Sequence, residues 1–402
     1  MKNLLPLKIN EMKSKIIPIV MSLLNLSASA QDIYQPVLSQ IERNSTTLQA
    51  LQKQMEARKT AYRTGLTPRD PQVQLGYLWG SPSPIGNRKD VSIRQEFDFP
   101  SVYARRNRLA SKQSEAAEWQ YRQERMQLLL KAKQTCIRLV YSNALANIYE
   151  QQAVRARKMT EAYERMLQEG STNQLELDKA RLHRTTIESR LSAVHLEQSQ
   201  LLAELQAMNG GHPIVLNDTA FSLSPMPNNF DDYLAEAEQN SPVLQYIKQK
   251  KAVADDHISV TRASSLPKWS VGYMGEFVTG NTFQGVTVGL SIPLWENKHR
   301  VRQARQQSIA VSQQADDLRL QYRIHLRSLY NQAVQLQQTV AQYDAALSLD
   351  GLALLTRAFE KGEISLLNYL LEHDYWTTAY DHRLQAQRDL ALVVAELNAW
   401  KL

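Results

Sequence analysis

The chain has 402 residues, of which only 14 are glycine and 14 proline, with 43% hydrophobic residues, 22% charged residues and a formal net charge of +7. Gly plus Pro falls well below the roughly 12% of an average chain, so long helices are expected, and a turn-rich all-β sandwich or a disordered chain is excluded. No stretch reaches the roughly 20 apolar residues of a membrane-spanning helix, which excludes a polytopic helical membrane protein, and the single Cys136 excludes a disulfide framework, a Cys-rich zinc site and a CxxC redox motif.

Residues 1–30 read as a secretory signal peptide. Lys2, Lys8, Lys13 and Lys15 form its basic region, 16–26 its apolar run and Ala28-Ser29-Ala30 its small-x-small cleavage pattern, so a mature chain starting at Gln31 is expected. Met12-Lys13-Ser14-Lys15 opens an equally good signal, so Met1 and Met12 both stand as possible starts. With those lysines removed the charge is only mildly positive, too mild to point to nucleic acid. The eight histidines show no ligand spacing such as HExxH and are expected on solvated helix surfaces; no metal or cofactor is implied.

From residue 31 onward the chain reads as two copies of one unit. Glu42, Asn44, Ser45, Leu48, Gln49, Pro71, Gly76 and Tyr77 recur 196 residues later as Glu238, Asn240, Ser241, Leu244, Gln245, Pro267, Gly272 and Tyr273. Arg106, Arg108, Ala110 and Ser114 recur at an offset of 194, and Arg165, Gly170, Leu175, Thr185 and Thr186 at 192. The first copy, 31–209, is expected as a helix, a β-hairpin over 71–99, a long helix over 101–169 and a helix over 171–209. A spacer follows over 210–237. The second copy, 238–402, repeats the order with a hairpin over 267–292, a long helix over 294–361 and a helix over 363–401.

The helices are inferred from where Gly and Pro are missing, namely 37–64, 101–169, 171–209, 243–266 and 363–402, with Gly351 alone inside 294–361. Residues 101–169 as one helix would span about 100 Å. Leu329, Leu336 and Tyr343 form one heptad row and Ala333, Val340 and Leu347 another, the pattern of a coiled-coil seam or of an antiparallel bundle. The shorter helical segments of each copy add up to nearly the length of the long one, so stacked end to end they could run beside it.

The hairpins alternate with period two. Val73, Leu75, Tyr77 and Trp79 form one face of the first strand, and Val91, Ile93, Phe97 and Phe99 one face of the second. In the second copy the same face carries Trp269, Val271, Tyr273 and Phe277, then Val286, Val288, Leu290 and Ile292. Each run has about the length of a tilted transmembrane strand, apolar outward and polar inward. A four-stranded soluble sheet packed on helices shows the same alternation; the signal peptide and the lack of a globular core favour the membrane. Four strands cannot close a barrel and open edges are not tolerated in lipid, so several protomers must share one barrel.

At this point the chain resembles the TolC-type outer-membrane efflux proteins, over essentially all of 31–402. The resemblance rests on the duplicated helix–hairpin–long helix–helix order and on two helix turns. These are Leu167-Gln168-Glu169-Gly170-Ser171-Thr172 with Leu175-Glu176-Leu177-Asp178, and Phe359-Glu360-Lys361-Gly362-Glu363-Ile364-Ser365 with Leu366-Leu367-Asn368. It implies an α+β membrane protein whose long helices build a periplasmic α-barrel. It also implies a homotrimer in the outer membrane of a Gram-negative-type bacterium, with four strands per protomer entering a shared β-barrel. The tips at Gly170, Ser171, Thr172, Gly362, Glu363 and Ser365 would dock on a periplasmic adaptor and an inner-membrane transporter. Gly170 and Gly362 suit a left-handed helix end, and Ser171 or Thr172 and Ser365 suit caps of the next helix. Members often narrow the tunnel with acidic residues just past the tip. Here Glu176 and Asp178 hold that place in the first copy and Asn368 in the second, so the second ring is not acidic. A solvated acidic residue near a helix start is an equally good reading of Glu176.

A basic cluster follows each hairpin: Arg105, Arg106 and Arg108, then Lys298, His299, Arg300, Arg302 and Arg305, expected at the membrane surface near lipid head groups or simply solvated. No nucleophile–base pair, phosphate loop or metal constellation points to an enzyme. The leading expectation is an exit duct for small molecules or metal ions; a periplasmic adaptor and a secreted coiled-coil interaction protein are the alternatives.

Overall fold

The computed structural model describes residues 32–82, 85–295, 297–347 and 351–402. The expected signal at 1–30 lies outside the described residues, and Asp32–Leu402 forms one compact unit. Its element order runs twice. The first pass is α1 (Gln35–Asn44), α2 (Thr46–Tyr62), β1 (Gln72–Leu78), β2 (Arg88–Phe97), α3 (Pro100–Gln168) and α4 (Gln174–Met208). The second is α5 (Phe230–Asn240), α6 (Pro242–Ala263), β3 (Lys268–Val278), β4 (Asn281–Ser291), α7 (Arg300–Ala346), α8 (Gly351–Glu360) and α9 (Leu366–Leu397).

Helix α3 is 69 residues long, about 100 Å at 1.5 Å per residue. Pro100 opens it where a missing N–H costs nothing, and Gly170 follows its end. It packs along α4 on one stretch and along α2 and α6 on the other, so shorter helices do run end to end beside it.

Three expected helices are placed differently. The segment 37–64 is broken at Ser45, whose backbone turns extended (φ −61°, ψ 116°) while its hydroxyl accepts the Leu48 N–H at 3.4 Å. Ser241 turns extended in the same way between α5 and α6 (φ −59°, ψ 121°) but without a side-chain cap, and Pro242 follows in the first turn of α6. A serine that ends one helix and opens the next needs neither Gly nor Pro, so the compositional reading missed the first break. Second, α5 starts at Phe230, inside the expected spacer 210–237. Asn229 accepts the Asp231 N–H at 2.9 Å, and Asp231 and Asp232 sit where the helix dipole favours them. Third, the helix expected over 294–361 starts only at Arg300, after His299 takes a left-handed conformation (φ 68°), and is interrupted: α7 ends where Leu347 turns extended (ψ 105°). It resumes as α8 at Gly351, whose backbone lies so close to the Trp376 ring of α9 that a Cβ would collide with it.

The four strands form one antiparallel sheet in the order β1-β2-β3-β4, joining the two copies through the β2–β3 pair. Directly paired residues share a face, so the register sorts the side chains. Val73, Ile93, Tyr273 and Val286 make one row across all four strands; Phe97, Trp269 and Leu290 make another. The opposite face carries Arg88, Asp90, Arg94, Glu96 and Glu276. Among the described residues, nothing pairs with the outer edges of β1 and β4.

The main core sits midway along α3, far from the sheet. Tyr34, Leu38 and Ile41 of the N-terminal region meet Ile137 and Val140 of α3 and Leu205 of α4 there. A second cluster repeats this with Phe230, Leu234 and Ala237 against Leu326 and Leu329 of α7 and Leu397 of α9. The ion pair Arg125–Glu42 (2.6 Å) recurs as Arg323 and Arg319 on Glu238, with Arg323 at 2.8 Å. The expected seam residues Leu329 and Ala333 are buried, and Leu336 and Val340 pack against the second cluster.

Candidate functional site

Both tip turns end their helix in the same way. At the first, the Gly170 N–H donates to the Leu167 carbonyl (3.1 Å) and the Ser171 N–H to the Met166 carbonyl (2.8 Å). At the second, Gly362 donates to Phe359 (2.9 Å) and Glu363 to Ala358 (2.9 Å). This double closure satisfies orphan helix carbonyls and requires a left-handed residue; Gly170 (φ 72°) and Gly362 (φ 75°) supply it. The following helices are then capped. Ser365 accepts the Asn368 N–H at 3.2 Å, as expected from its position. In the first copy the cap is Asn173, accepting the Glu176 N–H at 3.0 Å, and neither Ser171 nor Thr172. The Ser171 hydroxyl is instead bonded back to the Met166 carbonyl (3.0 Å). The Asn173 cap starts α4 at Gln174, and position 173 is the repeat partner of Ser365.

The aperture residues lie in the first turns beyond the tips. Glu176 is half-buried and paired with Lys179 of its own helix at 2.9 Å. Asp178 is exposed and accepts from the Gln174 amide at 2.8 Å. Asn368 is exposed at the matching place in α9. Met166 from one turn and Gly362 and Ser365 from the other line a common groove of about 590 Å³ between the two helical hairpins, with the Phe359 and Tyr369 rings stacked at 4.5 Å on its wall. Exposed Leu175 and its repeat partner Leu367 flank the turns.

The histidine expectation is corrected on the wall of this groove, which His183 and His373 help to line. His373 of α9 is 2% exposed, with the His183 ring of α4 edge-on at 5.4 Å. Burial, then the proximity of His183 and Arg155, drives the His373 pKa down to about 4, so the imidazole is neutral. Arg190 and Asp374 are the other charged neighbours. Beside the pair, the Gln152 amide donates to the Thr377 hydroxyl at 3.2 Å. Spacing within either helix gives no sign of this pair, because the partners come from opposite copies. Cys136 is likewise buried, and its thiol is pushed up to about 12, which leaves it unreactive.

At the other end of the helices the sheet presents its apolar face outward. Of the sixteen apolar positions expected on the strands, Trp79, Phe99 and Ile292 fall just beyond the strand ends; all sixteen but the half-buried Val91 are exposed, and Leu75, Trp79, Val286 and Val288 exceed 70%. Among the described residues no helix packs along either face. The polar face is held by ion pairs, Arg88 to Asp90 (2.7 Å) and to Glu276 (2.8 Å) and Arg69 to Glu96 (3.3 Å). Gly272 and Gly289 lie on that face too, where a Cβ would press on neighbouring strands. An apolar surface of this extent, backed by a charged one, is the reverse of a soluble sheet that buries its apolar side.

No family model and no curated protein sequence matches the chain. Solved structures do. The Campylobacter jejuni CmeC outer membrane channel is 16% identical, with a TM-score of 0.72 over 92% of this chain and 85% of that one. The outer membrane protein VceC from Vibrio cholerae is 12% identical, with a TM-score of 0.74 over 91% and 95%. The open state of the Neisseria gonorrhoeae MtrE outer membrane channel is 15% identical, with a TM-score of 0.72 over 92% and 88%. Sequence similarity this low carries no residue roles across, but the course of the backbone is common over more than nine-tenths of this chain, and the chain has the fold of these outer-membrane channels.

Proposed function

We propose that this chain is an outer-membrane channel, the exit duct of a tripartite efflux system that passes small molecules or metal ions outward. It works as a homotrimer and not as an enzyme. The observation that carries this reading is the sheet: four strands with an uncovered apolar face, a charged opposite face and two unpaired edges. In lipid every edge must be closed, and β4 of one protomer pairing with β1 of the next closes it. The charged face then lines a water-filled lumen, and the row through Val73, Ile93, Tyr273 and Val286 meets lipid. The long helices continue the lumen through the periplasm, and the turns at Gly170–Thr172 and Gly362–Ser365 reach an adaptor and an inner-membrane transporter.

Three symmetry copies of Glu176 and Asp178 would ring the far end of the duct. Because Lys179 pairs with Glu176, removing the carboxylate both deletes a negative charge and frees a positive one. In planar bilayers Glu176→Ala is therefore expected to shift the channel from cation toward anion preference. An unchanged reversal potential removes Glu176 from the aperture, and absence of any conductance from the wild-type chain rejects the duct.

A further inference from the structure

The apolar face of the sheet continues past the end of β4. Ile292, Leu294 and Trp295 extend it and are 59, 68 and 79% exposed. Lys298, Arg302 and Arg305 follow at once, all exposed. Arg302 and Arg305 lie three residues apart on α7, so they share one helix face and repel each other.

The first copy holds the same kind of cluster but engages it internally. Arg106 pairs with Asp98 at 2.8 Å, Arg108 pairs with Asp256 at 3.1 Å, and Arg105 donates to the Ser259 carbonyl at 3.3 Å. Lys298, Arg302 and Arg305 have no ion pair among the described residues. Two arginines of the first copy thus meet carboxylates, whereas Lys298, Arg302 and Arg305 stand near an exposed indole without an ion pair among the described residues. Aromatic rings at head-group level with cations just beyond are the composition of a membrane–water interface.

We propose that the β4–α7 junction binds the phosphate of an anionic phospholipid, of the phosphatidylglycerol type, in the leaflet at the helix side of the sheet. Lys298, Arg302 and Arg305 contact the phosphate, and Leu294 and Trp295 sit at the boundary with the acyl chains. The site rests on the membrane reading of the sheet and assigns to it a lipid class and a position. Continuity with the apolar strands selects a lipid over a free anion, since a free anion would have no use for Leu294 and Trp295.

The full-length protein is to be reconstituted into phosphatidylcholine vesicles and into vesicles of phosphatidylcholine mixed with phosphatidylglycerol, then re-extracted in mild detergent. Native mass spectrometry counts the lipids retained. The wild type is expected to enter both vesicles and to retain phosphatidylglycerol preferentially. Replacing Lys298, Arg302 and Arg305 by Gln should cut that preference about fivefold per cation removed. Arg108→Gln, at the internally paired cluster, should leave it unchanged. Entry of the wild type without lipid preference, or a preference that survives the triple replacement, overturns the proposal alone. Failure of the wild type to enter even phosphatidylcholine vesicles defeats the membrane reading and the lipid site with it.

Discussion

The two copies of the unit keep the same turns and differ in what they place behind them. Gly170 and Gly362 close their helices with the same pair of backbone bonds, and Asn173 and Ser365 cap the next helix from matching positions. Yet α3 runs unbroken through 69 residues, whereas its counterpart is divided into α7 and α8. Position 181 in the first copy is an arginine on the surface paired with Glu164 at 2.8 Å; its counterpart, 192 residues on, is the buried His373. Duplication preserved what the backbone requires and released the helix faces to diverge, so the copies can carry different loads on one frame.

The buried histidine offers the largest way to test that asymmetry. In the fold His373 holds its proton only below about pH 4, whereas in the unfolded chain it takes one up below about 6.5. The unfolded state therefore binds more protons in this window, and stability falls as pH drops from about 6.5 to about 4, by roughly 3 kcal/mol. His373→Gln, melted across that range, should lose most of the fall. Arg181→Gln should leave it intact. An equally steep fall in His373→Gln places the pH dependence elsewhere.

The helix break comes next. Gly351→Ala drives a Cβ into the Trp376 ring, and overpacking of this kind costs about 1–3 kcal/mol. Replacing Met159, the residue at the matching place in unbroken α3, by Ala meets no such obstacle. A lowered melting temperature together with altered tryptophan emission in the Gly351 variant is expected; a melting temperature equal to wild type would mean that α8 shifts freely. The smallest effect belongs to what the copies share. Gly170→Ala and Gly362→Ala meet no neighbouring atom, so each carries only the left-handed strain, about 1 kcal/mol, and the two losses should match. Unequal losses in urea titrations would separate the tips.

The parts legible in the sequence are those written in local patterns. Period-two alternation identified both faces of the sheet, because register in a half-exposed sheet follows the apolar residues. The two tip glycines stood out because a left-handed helix end has few alternatives to Gly. What stayed hidden depends on partners far away in the chain. The break at Ser45 uses a hydroxyl cap in place of a helix breaker. The start of α5 lies in a stretch that reads as spacer because of Pro225 and Pro227. Leu347 gives no local reason to stop α7, and the His183–His373 pair exists only once α4 and α9 are side by side. The internal pairing of Arg106 and Arg108 likewise needs the carboxylates of other elements to be located first.

The central claim is that four strands from each of several chains close one barrel. It is tested most directly by extracting the protein from membranes in mild detergent, weighing the particle by native mass spectrometry and imaging it by single-particle electron microscopy. Three chains per particle, with three-fold symmetry and a continuous ring of strands at one end of a helical tube, are expected. A stable single chain, or a particle that stays soluble without detergent, would contradict the account.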